Sequence, residues 1–238
     1  MTRVLQETWP GDGHFHRHDG DMTNSLTSTD PRASFAQAVV TLRGVVDGIA
    51  ADQLSSSTPC PDHDVRSLLG HTLTVFRRLS ALGNGTDPMA MPDVVTGIDD
   101  QAWPAEFLAA AHEVQAAWTD ATKLDQPMVL PWATAPGAAM VAMYTAELTV
   151  HTWDLAVATG QSPIWHEPTV QVALASALQA LPPGDREAYF AEMAKNPAFG
   201  PELADRPPFR NAVSVADTAP ALDRLIGWYG RQPGAIAK

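Results

Sequence analysis

Four apolar stripes with helical spacing, separated by breaks rich in Pro, Gly and Ser, run through the first two thirds of the chain. Phe35, Val39, Leu42, Val46 and Ile49 recur at steps of three and four, and predict a helix over about 31–50 with Asp30 as N-cap and Pro31 at its first position. Val65, Leu68, Leu69, Val75, Phe76, Leu79 and Leu82 predict a second helix that starts after Asp64 and ends at Gly83. A third follows Pro104 through Phe107, Leu108, Ala111, Val114 and Trp118 to about Leu124. A fourth runs from about Gly137 to Thr159 and stops at Gly160. No alternating strand pattern lies between them, and the segment with Pro127, Pro131 and Pro136 reads as a loop. Helices of this length joined by loops specify an all-α fold, a four-helix bundle whose core can host a site built from facing side chains. A short additional C-terminal helical region is expected beyond it, with helices near 168–181, 186–195 and 219–229 around a Pro-rich stretch.

Three parts are expected along the chain. Residues 1–31, rich in Gly, Asp, Thr, Ser and His, read as a flexible N-terminal tail. Residues 32–160 form the bundle, and residues 161–238 form a helical extension packed on it. His14, His16 and His18 alternate in the tail and read as a solvated tract in preference to a metal site, and Met22 is a second candidate start. The hydrophobic share of 45% and charged share of 18% suit a soluble globular protein. With 15 Lys and Arg against 27 Asp and Glu the chain carries a formal charge of −12, which argues against binding nucleic acid or an anionic membrane surface. No apolar run spans a bilayer and no signal-peptide pattern opens the chain. The single cysteine, Cys60, excludes an internal disulfide and points to a reducing compartment, so a cytoplasmic location is expected.

The chemistry concentrates in the fourth helix. Glu147 and His151 are four residues apart and share one face. Met140, Tyr144, Asp154 and Leu155 lie on the same mostly core-facing stripe. A buried carboxylate and imidazole without partners cost several kcal/mol, so they must pair, meet a group from another helix or bind a cation. His71 falls on the apolar side of the second helix, between Leu68 and Val75. Two imidazoles and a carboxylate converging across a core make a three-ligand set for zinc or another divalent metal, with positions left open. A plain helix pair at Glu147–His151 and a hydrogen-bonded core histidine at His71 are the structural alternatives.

Three stretches resemble one family. Thr58-Pro59-Cys60-Pro61 leads through Asp64 to Gly70-His71. Ala146-Glu147-Leu148-Thr149-Val150-His151-Thr152-Trp153-Asp154-Leu155-Ala156 is followed by Thr159-Gly160-Gln161. Phe199-Gly200-Pro201 precedes Asp223-Arg224-Leu225-Ile226 and Gly230-Arg231-Gln232-Pro233. In this order and spacing they are similar to the mycothiol-dependent maleylpyruvate isomerase-like proteins of the DinB superfamily. The resemblance implies a DinB-like four-helix bundle with a divalent metal held by His71, Glu147 and His151. It also implies an external thiol, mycothiol, as cosubstrate in place of the chain's own Cys60, which reads as structural.

A thiolate held on such a metal suits S-transfer to, or isomerisation of, a small electrophile. A non-catalytic metal- or small-molecule-binding protein on the same bundle is the alternative. Zinc is the default cation for this donor set, with nickel or iron acceptable. Tyr144 is a candidate hydrogen-bond donor into the pocket, and Asp154 a candidate orienter of a ligand. Arg224 and Arg231 are candidates to bind a carboxylate of thiol or substrate, with a structural salt bridge as the alternative. The expected partners are a small electrophile and a low-molecular-weight thiol, with no nucleic acid and no membrane, in a monomer or homodimer. His112 and His166 read as surface residues. The chain departs from the family at His63, where an aromatic Trp is usual, and in a polar, Pro-containing insertion over about 202–211. His63 is therefore of interest as a further ligand or a gate at the pocket mouth.

Overall fold

A computed structural model describes residues 30–131, 133–196, 202–205 and 207–234. The expected tail with its histidine tract and Met22, and the Phe199-Gly200-Pro201 motif, lie outside the described residues. Four long helices form the bundle: α1 (Pro31–Asp47), α2 (Val65–Gly83), α3 (Trp103–Ala117) and α4 (Gly137–Ala158). α1 packs on α4 and α3, and α2 packs on α3 and α4, so the successive helices α1 and α2 stand on a diagonal. The fold is all-α, as the four stripes require. One core joins Phe35, Leu42 and Val46 of α1 to Leu69, Phe76 and Leu79 of α2, Phe107 and Val114 of α3, and Met140, Leu148 and Leu155 of α4.

The helix starts follow their caps. The Asp30 carboxylate accepts from Arg32 N, and the Asp64 carboxylate accepts from Ser67 N at 2.8 Å and Ser67 Oγ at 2.6 Å. α3 stops before the expected end. The chain turns at Trp118, whose indole donates to the Leu79 carbonyl, and Asp120 then caps a separate 3-10 turn at Ala121–Leu124. From that turn Lys123 Nζ donates to the last carbonyls of two helices, Gly83 O at 2.7 Å and Ala117 O at 2.6 Å.

The expected loop with three prolines is an antiparallel hairpin, β1 (Pro127–Leu130) and β2 (Ala133–Pro136). Pro127 and Pro136 face each other at its open end and Pro131 lies in its turn. Both strands are edges, so the missing amides break no inner ladder, and no alternating pattern was required of so short a ribbon.

Beyond α4 come α5 (Glu167–Ala180), α6 (Arg186–Met193), the four-residue α7 (Glu202–Asp205) inside the expected Pro-rich stretch, and α8 (Ala221–Trp228). α5 packs on α4 and on α1, and α8 packs on α5. A second apolar cluster joins Val150 and Trp153 of α4 to Val170 and Leu174 of α5 and to Leu225 and Ile226 of α8. α4 is therefore covered on both sides instead of along one stripe. From Tyr144 to Ala156 every residue is buried except Glu147. Thr145, Thr149 and Thr152 fit this interior because each hydroxyl donates to the carbonyl four residues earlier. No helix among the described residues is long and apolar enough to cross a membrane.

The Asp64 cap gives a test. Its hydrogen bonds from Ser67 hold the carboxyl below the usual Asp range, so its contribution is full above the unfolded value of about 3.9 and is lost as pH falls through the lower folded value. Asp64→Ala is expected to cost about 1 kcal/mol in urea unfolding near neutral pH. The gap between variant and wild type should close in acid; a gap that persists there would assign the loss to packing.

Candidate metal centre

α2 and α4 meet with His71, Glu147 and His151 between them. One donor atom from each of the three lies within 4.8 Å of the others. The His71 Nε2 to Glu147 Oε1 distance is 3.5 Å, longer than a direct hydrogen bond prefers. The His71 and His151 rings stand nearly perpendicular, 5.0 Å between centroids. His151 is buried, whereas the Glu147 side chain is 24% exposed and His71 18%. The cluster is thus partly exposed on the side of His71 and Glu147 and not sealed in the core.

Each imidazole is held from behind. His71 Nδ1 lies 3.1 Å from the Asp93 carbonyl oxygen, and His151 Nδ1 lies 3.1 Å from Asp154 Oδ2. Both partners are acceptors, so Nδ1 carries the proton when the rings are neutral and Nε2 keeps its lone pair. Asp154 in turn receives Arg231 Nε on Oδ1 at 3.1 Å and Nη2 on Oδ2 at 2.8 Å, a two-pronged ion pair with the carboxylate 0% exposed.

The local electrostatics follow. Burial opposes protonation of His71, yet Glu147 and the Asp93 carbonyl outweigh it and raise the pKa. Burial raises the Glu147 carboxyl, but His71 and His151 beside it leave the net shift downward. His151 is pushed down, by burial first and by the charge on His71, against the pull of Asp154. Burial would lift Asp154, but His151 and Arg231 hold it below the usual Asp range.

The position of His71 depends on Gly70. The chain at 93–95 lies directly on α2 there, with Val95 N donating to Gly70 O at 3.2 Å. A Cβ at Gly70 would overlap the Val95 carbonyl oxygen and stand 2.8 Å from Val94 Cγ1. Only glycine lets Asp93 come close enough to meet His71.

The other sequence candidates fall as follows. Tyr144 is buried one turn before Glu147, its pKa pushed up by burial and by the Glu147 charge, and its hydroxyl makes no hydrogen bond with a described residue. Arg231 serves Asp154, in the salt-bridge arrangement that the sequence left open beside ligand binding. Arg224 is half-buried on α8, and its side chain makes no hydrogen bond or ion pair with a described residue. His63 stacks on His71, 5.2 Å between centroids and 21° between planes, with its Nδ1 buried and unpartnered. Its turn is tied by Thr58 Oγ1, which donates to the carbonyls of Cys60 and His63. His112 and His166 are on the surface.

Cys60 was read as structural, away from the chemistry, but its Sγ lies within 4.8 Å of donor atoms of His151 and Asp154. Burial pushes the thiol up to about 11, so it stays protonated near neutrality. The Arg231 guanidinium already neutralises Asp154, which makes this second group a poor cation site. Sequence reasoning missed Asp93 and Arg78. Asp93 acts through its backbone, which no pattern reveals. Arg78 lies seven residues after His71, a helical spacing that places both on one face.

The model of the mycothiol maleylpyruvate isomerase N-terminal domain family matches residues 35–156. The chain belongs to that family. It is also similar to two mycobacterial proteins, Uncharacterized protein Rv0738 of Mycobacterium tuberculosis strain H37Rv and Uncharacterized protein MT0763 of strain CDC 1551. Each is 28% identical over 204 residues, covering 85% of this chain and 98% of the relative. No solved structure matches the chain. The family's matched region spans α1 to the end of α4 and contains His71, Glu147 and His151, while Arg231 lies outside it.

Gly70→Ala is expected to destabilise the fold by about 1–3 kcal/mol through overpacking against 93–95. A thermal melt checks this, and a melting temperature equal to wild type would show that the loop moves away freely.

Proposed function

We propose that the chain is a metal-dependent, mycothiol-using S-transferase or isomerase acting on a small electrophile at His71, Glu147 and His151. The observation that carries this reading is the pair of imidazoles with Nδ1 engaged from behind, by the Asp93 carbonyl and the Asp154 carboxylate, while a donor atom of each ring and of the Glu147 carboxylate lie within 4.8 Å of one another. Such a donor set fits a divalent cation, zinc by default and nickel or iron by ligand chemistry. When bound, the cation lowers the pKa of a thiol ligand and presents it as thiolate.

The chain's own residues supply the rest. Glu147 offsets cationic charge at the cluster and His71 gives up its raised-pKa proton when it becomes a ligand. Asp154 and Arg231 fix the ring of His151. Glu147 and His71 keep part of their side chains exposed, the side from which a small molecule reaches the cluster in this reading, while α5 and α8 cover the far side of α4. Addition of the thiol sulfur to a double bond, rotation about the resulting single bond and elimination return the thiol and give a cis–trans isomer. Displacement of a leaving group keeps the sulfur in the product. Membership of the family supports mycothiol as the thiol.

The same proposal covers organisation and setting. Residues 32–160 carry the site, and residues 161–238 form the extension that reaches back to it through Arg231. The protein works in the cytoplasm, as a monomer or homodimer, on small molecules.

Elemental analysis provides the main test. Wild type is expected to hold one equivalent of metal, and Glu147→Ala and His151→Ala to lose it with helical circular dichroism retained. Stoichiometric metal in both variants would refute the ligand assignment. Titrating an added thiol against the zinc-loaded protein then separates the readings: a lowered apparent thiol pKa supports catalysis, and bound metal that never engages thiol supports a binding protein. Asp154→Asn removes the anionic support of His151, and its metal affinity should fall about 10- to 100-fold; an unchanged affinity in competition with a chelator would show that the Asp154–His151 bond is structural only.

A further inference from the structure

Arg78 is the charged side chain near the cluster that the arrangement above does not use. It lies on α2 two turns beyond His71, and its side chain is only 12% exposed. One arm is occupied: Nη2 donates to Asp93 Oδ1 at 2.6 Å. Nε, on the same edge of the guanidinium, is buried and has no acceptor among the described residues. An arginine edge is built to donate two parallel bonds to one planar or tetrahedral oxyanion, and here it donates one. A buried donor left empty in this way costs free energy unless something else fills it.

The partner that Arg78 does have is easily displaced. Asp93 is 86% exposed, and an ion pair with so exposed a member adds little stability. The surroundings are those of a binding subsite. The charge of Arg78 is felt by His71, Glu147 and Tyr144. Tyr144 brings a second hydroxyl donor that makes no hydrogen bond with a described residue.

We propose that the Nε–Nη2 edge of Arg78 is a recognition subsite for an oxyanion, carboxylate or phosphate, carried by a small molecule that approaches His71 and Glu147 from their exposed side. The bound oxyanion accepts from Nε and Nη2 together and displaces the Asp93 carboxylate into solvent. Tyr144 donates a further hydrogen bond from α4. Only the identity of that small molecule as the electrophile rests on the function proposed above; the oxyanion site itself needs no cation. Arg78 is thus a binding and positioning residue, and the electrophile is an anionic one.

The test uses the full chain, first metal-free and then zinc-loaded. The side-chain Nε–H resonance of Arg78 is followed by nitrogen-15 NMR at constant ionic strength, and is assigned by its loss in Arg78→Lys. Sodium acetate and inorganic phosphate are the two probes, with chloride as control. Saturable movement with acetate or phosphate, absent with chloride, is the expected result, and the tighter of the two names the oxyanion class. Asp93→Asn, a change at an exposed side chain, removes the competing carboxylate and should tighten binding about two- to fivefold, the size of an exposed ion pair. Tyr144→Phe should weaken it.

Movement that never saturates, or that chloride reproduces, overturns the proposal. So does an Asp93→Asn variant with unchanged or weaker binding, which would make Arg78 a brace for the loop that carries Asp93. Oxyanion binding without metal uptake would remove the proposed function and leave the subsite standing. Metal uptake and thiol activation without oxyanion binding would do the reverse.

Discussion

Burial of α4 is the constraint on which the rest depends. A helix covered on two sides has no solvent face on which to park polar groups, yet this one carries Glu147, His151 and Asp154 within two turns. Isolated, any of these would be destabilising by several kcal/mol or would lose its charge. The fold answers each one with a partner from a different part of the chain. α2 brings His71 to Glu147, and the C-terminal segment brings Arg231 to Asp154. His151 sits between the two and is oriented by its own helix through Asp154. The threonines of α4 satisfy their hydroxyls within the helix.

The second constraint is geometric, and it links the bundle to the site through one small residue. The connection between α2 and α3 is long, and long connections normally travel over the surface. Here it is pressed onto α2 at Gly70 and delivers the Asp93 carbonyl to His71 and the Asp93 carboxylate to Arg78. Backbone and side chain of the same residue therefore address two groups on one face of α2. The first contact selects the tautomer of His71. The second ties the Arg78 guanidinium to the loop at 2.6 Å.

Much of this was legible in the order of residues, and the reasons for the exceptions are physical. The four bundle helices follow from apolar spacing and from Asp30, Asp64 and Gly160 at their ends, because caps and periodicity are local. The pairing of Glu147 with His151 on one face is likewise a property of helical pitch. The hairpin was invisible because three prolines mask a ribbon with two free edges. The early end of α3 depends on Trp118 finding a carbonyl on α2, and Lys123 then bridges two helix ends. Such contacts are tertiary and leave no periodic trace. Arg231 pairs with Asp154, the salt-bridge alternative to binding a ligand carboxylate, and its acceptor is 77 positions away in sequence, which spacing cannot supply. The sequence alone does not show that Cys60 lies near the site; only the folded turn places its sulfur within 4.8 Å of donor atoms of His151 and Asp154.

The division of labour between the matched region and the rest of the chain follows from the same contacts. The family's bundle, residues 35–156, contains all three grouped donors. It is not sufficient to neutralise Asp154. His151 and then Arg231 hold that buried carboxylate below the usual Asp range against the effect of burial, so losing Arg231 would raise its proton affinity. The C-terminal segment thus acts on the centre at one remove, by setting the charge of the group behind a donor. Variation in that segment can retune the centre while every donor stays in place. The 28% identity shared with the mycobacterial relatives extends over 204 residues and so runs past the matched bundle.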